Sequence, residues 1–71
     1  MDNHTRNFVE RLIRQAKRIE IVSGEGDGAG VAEIFAGKRT LRALRMRLTM
    51  ERCQGDRWAR VEIDGQRLDE V

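Results

Sequence analysis

Residues 19–31 place glycine at positions 24, 26, 28 and 30, directly after the apolar run Ile19, Ile21 and Val22. A strand that breaks into alternating glycines has the form of a turn whose backbone N–H groups cradle a phosphate. Such a cradle also needs positive potential. Here Glu25, Asp27 and Glu33 make residues 23–36 the most acidic part of the chain, with three acids and no base. Only 41 residues follow Gly30, too few for the repeated strand–helix–strand units that wall a nucleotide site. The run therefore reads as a flexible connection between two strands, and no cofactor is expected.

Other reactive side chains are scarce. Cys53 is the single cysteine and His4 the single histidine. One thiol forms no internal disulfide, and one Cys with one His does not surround a zinc ion, so neither a metal site nor an oxidising compartment is expected. Nucleophilic catalysis needs a base beside the nucleophile, and the one imidazole lies in the polar segment at residues 1–7. The carboxylates show no spacing that pairs an acid with a base. The expectation is a protein without catalytic or metal residues. No stretch approaches the ~18 apolar residues of a membrane helix, and residues 1–7 do not read as a signal peptide, so a cytoplasmic protein without membrane contact is expected.

The remaining chemistry is cationic. The net charge of +2 hides a basic block at residues 37–52, where six bases face one acid. Twelve of the fourteen basic residues are arginine, which binds carboxylate and phosphate in bidentate fashion as lysine does not. Lys38, Arg39, Arg42, Arg45 and Arg47 are the candidate binding residues, for RNA or for an acidic protein surface. The competing expectation is that Arg45 and Arg47 pair across strands with Glu62 and Asp64.

These residues need elements to carry them. Phe8, Val9, Leu12, Ile13, Ala16 and Ile19 recur at helical spacing and predict an amphipathic helix over residues 4–18, capped by Asp2, Asn3 or Thr5. Residues 19–22 and 31–35 predict two short strands. Leu44, Met46, Leu48 and Met50 alternate with polar residues, predicting a third strand over 44–52; the rival reading is a helix over 40–53, which would turn both methionines away from the leucines. Residues 58–63 and 66–71 predict a hairpin around Asp64-Gly65, a dipeptide suited to a two-residue turn. Trp58 is expected in the core. The whole reads as one α+β domain over residues 1–71, a helix followed by about five antiparallel strands rolled into a small barrel. A chain this short buries only about 60% of its unfolded surface, which favours a homo-oligomer.

The closing run Ile63-Asp64-Gly65-Gln66-Arg67-Leu68 resembles the second motif of Sm-like proteins, and Gly30 and Phe35 fall where the first motif has its glycine and aromatic. The resemblance implies a ring-forming barrel that binds RNA. The family's loop Asp and Asn are Ala36 and Thr40 here, and the base before its last glycine is Asp64, so the resemblance implies the fold more than the uridine pocket. Residues 21–35 are also similar to the KOW motif of SH3-like barrels. The expected function is a non-enzymatic binding module acting on RNA through an Arg-rich strand face. The alternative is a protein-interaction module, such as a regulator or inhibitor encoded by a phage or mobile element.

Overall fold

A computed structural model describes residues 2–68 of the chain, so residues 69–71 of the expected last strand lie outside the described residues. The order is α1 (Asn3–Gln15), β1 (Ile19–Glu25), β2 (Val31–Ile34), α2 (Leu41–Arg52), β3 (Arg57–Ile63) and β4 (Gln66–Leu68). The strands form one antiparallel sheet in the order β2-β1-β3-β4. The α+β class holds. The closed barrel does not, because the sheet is open, and its strands number four rather than five among the described residues.

The largest correction concerns residues 44–52. They are the body of α2, not a strand. Thr40 caps this helix, its hydroxyl accepting from the Ala43 N–H at 3.1 Å. Leu41, Leu44 and Leu48, at three- and four-residue spacing, are all buried. The same leucines satisfy both periods. Leu41 and the Thr40 cap decide for the helix, and Met46 and Met50 are left outside at 60% and 61% exposure.

One face of the sheet is the core. Ile19 and Ile21 of β1 meet Ala59, Val61 and Ile63 of β3, and both helices lie over them through Val9, Ile13, Ala16, Leu41, Leu44 and Leu48. Phe8, assigned above to the stripe of α1, is instead 56% exposed. Asp2 caps α1, its carboxylate accepting from the Thr5 N–H at 2.7 Å. That hydrogen bond heads the interactions that hold the Asp2 carboxyl below its ordinary pKa.

α1 ends at Gln15 rather than at residue 18 for a tertiary reason. The amides of Lys17 and Arg18 both donate to the Asp64 carboxylate, at 3.0 and 2.9 Å, and the Asp64 N–H returns a bond to the Arg18 carbonyl. Asp64 and Gly65 both take positive φ, the conformation of the two-residue turn expected between β3 and β4. The Asp64 side chain thus holds the link from α1 to β1.

Candidate functional site

Two glycines of the run lie against a side chain of this protein. Gly24 is paired with Trp58 across β1 and β3. A Cβ at Gly24 would stand 2.6 Å from Trp58 Cζ2, and one at Gly30 would stand 2.7 Å from Trp58 Cη2. The indole fills the space that missing side chains leave, and its Nε1–H donates to the Gly26 carbonyl at 3.0 Å. Arg60 lies over the same ring, its guanidinium carbon 5.5 Å from the centroid. Trp58 is therefore half-buried on the sheet face opposite the helices, with Val22 beneath it, and not in the main core. Gly24 and Gly30 make room for an aromatic residue of this chain.

The five candidate basic residues separate into two groups. Arg47 bonds to Glu33 of β2 and to Glu51 one turn further along α2. Arg39 donates to the Ala16 carbonyl at the end of α1. Both are structural. Lys38, Arg42 and Arg45 remain exposed, and Lys38 and Arg42 have no ion-pair partner among the described residues. The helical path of residues 41–52 places Arg45 and Arg47 on different sides of α2. None of the five candidate residues lies on a strand.

Glu51 is the centre of the ionic cluster. Only 8% of the residue is exposed, yet its carboxylate meets Arg47 on one side and Arg57 on the other, the latter at 3.2 Å. Arg57 also donates to the Ser23 hydroxyl at 2.8 Å. Burial works to raise the pKa of Glu51, but the hydrogen bond and charge of Arg47, with the charge of Arg57, outweigh it and hold the group below its ordinary value. The cluster joins α2 to β1, β2 and β3.

The outer side of α2 is different in character. A groove of about 500 Å³ is lined by Arg6 of α1 and by Leu41, Arg42, Arg45, Met46, Thr49 and Met50. Its wall is mainly apolar and its edge carries three guanidinium groups. Methionine is flexible and polarizable, and suits a surface that adapts to a partner. Exposed thioethers beside arginines form an arrangement that a solvated helix does not need.

No family model matches the chain, and neither a curated protein nor a solved structure matches it.

Of the residues lining this groove, the sequence singled out Arg42 and Arg45 but not Arg6, Met46 or Met50. The signal was present. Two methionines spaced four apart on the wrong side of a leucine stripe are an exposed apolar pair, once the helix is accepted. Among the described residues there is no cluster of metal-ligating side chains, and no helix is long and apolar enough to cross a membrane. Cys53 sits exposed at the C-terminal cap of α2.

Proposed function

We propose that this protein is a small non-enzymatic binding module that takes an acidic, apolar segment of a partner protein into the groove on the outer side of α2. The observation that carries this reading is the exposure of Met46 and Met50, 60% and 61%, inside a rim of Arg6, Arg42 and Arg45. Covering the two thioethers would contribute up to about 1.5–3 kcal/mol each. The arginines would add charge-assisted bonds to carboxylates and fix the orientation of the segment. An amphipathic helix with acidic flanks meets both requirements, in the manner of a helix laid into a groove.

RNA is the second reading, favoured by the exposure of Lys38 and Arg42 without acidic partners among the described residues. Against it, Trp58 lies against Gly24 and Gly30 under Arg60, which leaves Phe8 as the exposed ring among the described residues. Fluorescence anisotropy with a labelled acidic leucine-rich peptide and with a labelled single-stranded RNA separates the two. Peptide binding that is abolished by Met46→Ser combined with Met50→Ser supports the groove. Binding of RNA alone, insensitive to the methionines and strongly weakened by salt, replaces it with the second reading.

A further inference from the structure

We infer that β2 is the edge through which two copies of this chain join, making one continuous antiparallel sheet of eight strands. This rests on the sheet and is independent of the groove on α2.

The direction of the hydrogen bonds is the first observation. The Phe35 N–H donates to the Ile19 carbonyl at 2.7 Å. Hydrogen-bonded and non-bonded pairs alternate in an antiparallel ladder, so Glu33 and Val31 also turn their backbone groups toward β1. The N–H and C=O of Ala32 and Ile34 point the other way. No strand of the described residues lies there, because β2 ends the order β2-β1-β3-β4.

The second observation is what the edge lacks. Exposed edges are usually guarded by proline, lysine or a bulge. All four residues of β2 are exposed, and two are large and apolar, Val31 at 69% and Ile34 at 63%. The one charge, Glu33, is held toward α2 by its ion pair with Arg47.

Register then selects a second copy. Twofold antiparallel pairing must oppose residues that share a sheet face, so its centre falls on Ala32 or on Glu33. Centring on Glu33 sets two carboxylates against each other, which is unfavourable. Centring on Ala32 pairs its outward N–H and C=O with those of the other Ala32. It also brings Ile34 of each copy over Gly30 of the other, beside the edge of Trp58, which a Cβ at Gly30 would touch.

Charge agrees with that register. The end of one β2 lies beside the start of the other, which sets the segment leading to Lys38 of each copy on the side of the turn that carries Asp27 of the other. Both are exposed, and neither has an ion-pair partner among the described residues.

Sedimentation equilibrium on the full chain tests the inference. The expected species has twice the 8.2 kDa chain mass. Ala32→Pro removes the outward N–H and leaves the bonds to β1 alone, and it should weaken dimerisation at least about tenfold. Ile34→Lys, at a site that supports no fold contact in the main core, should do the same with an unchanged circular dichroism spectrum. Lys38→Asp should weaken the dimer, and Asp27→Lys in the same chain should restore it. A chain that stays monomeric at every concentration reached overturns the proposal. So does an oligomer whose dissociation constant Ile34→Lys leaves unchanged.

Discussion

The indole of Trp58 occupies the volume that a side chain at Gly24 would need, with Cζ2 2.6 Å from where that Cβ would stand. This relationship explains both the position of the tryptophan and the glycine opposite it. Gly24→Ala would force the ring away and disturb its bond to the Gly26 carbonyl. Overpacking of this kind destabilises by about 1–3 kcal/mol. Chemical denaturation should show that loss together with a shift in tryptophan emission. Gly26→Ala is a useful contrast, because nothing lies within 4 Å of its Cβ position and only its φ of +53° opposes the change.

The two halves of α2 should respond oppositely to mutation. Leu48→Ala opens a cavity among Ile13, Leu44 and Val61 and should cost about 2–5 kcal/mol. Met50→Ser touches an exposed residue, 61% accessible, and should change stability by no more than about 0.5 kcal/mol. Equal, large losses at Leu48 and Met50 would restore the alternating strand that the sequence pattern suggested.

Acid should loosen the packing of α2 on the sheet through Glu51. Its pKa in the folded protein lies below the ordinary 4.5, so the unfolded chain takes up the proton first as pH falls. The stabilisation is therefore complete above about pH 4.5 and is lost as pH drops through the lower, folded value. In Glu51→Gln the slope of stability against pH should be shallower across that window. Unfolding monitored by urea titration at a series of acidic pH values measures it, and an unchanged slope would remove Glu51 from the cause.

Asp64 does two separable jobs. Its backbone takes φ of 49°, and its carboxylate accepts from two amides beyond the end of α1. Asp64→Gly eases the first requirement and abolishes the second, with an expected loss of about 1–3 kcal/mol from the unmade bonds. Asp64→Asn keeps an acceptor oxygen and should retain most of that stability. Amide hydrogen exchange at Lys17 and Arg18 should rise sharply in Asp64→Gly and little in Asp64→Asn.

Local rules were enough for several elements. The spacing of Val9, Ile13 and Ala16 wrote α1, the β-branched run at 19–22 wrote the start of β1, and Asp64-Gly65 wrote the last hairpin, because each depends on neighbours a few residues away. The glycine run was also legible as a connection between two strands. The second helix was harder to read. Leu44 and Leu48 lie four apart, a spacing that fits a helix and a strand equally, and the polar face that would have settled the matter is interrupted by Met46 and Met50. Those methionines contradict a solvated helix for the same reason that they form the groove wall. Which elements the arginines reach was likewise invisible. Arg47 is claimed by Glu33 from another element and Arg39 by a carbonyl at the end of α1, whereas Arg6 joins Arg42 and Arg45 from a helix more than thirty residues earlier in the chain. Periodicity and capping act within one segment and are legible there. The pairing of charges, the companion of a glycine and the rim of a groove are set by distances between segments, and those exist only once the sheet has brought the two helices to the same face.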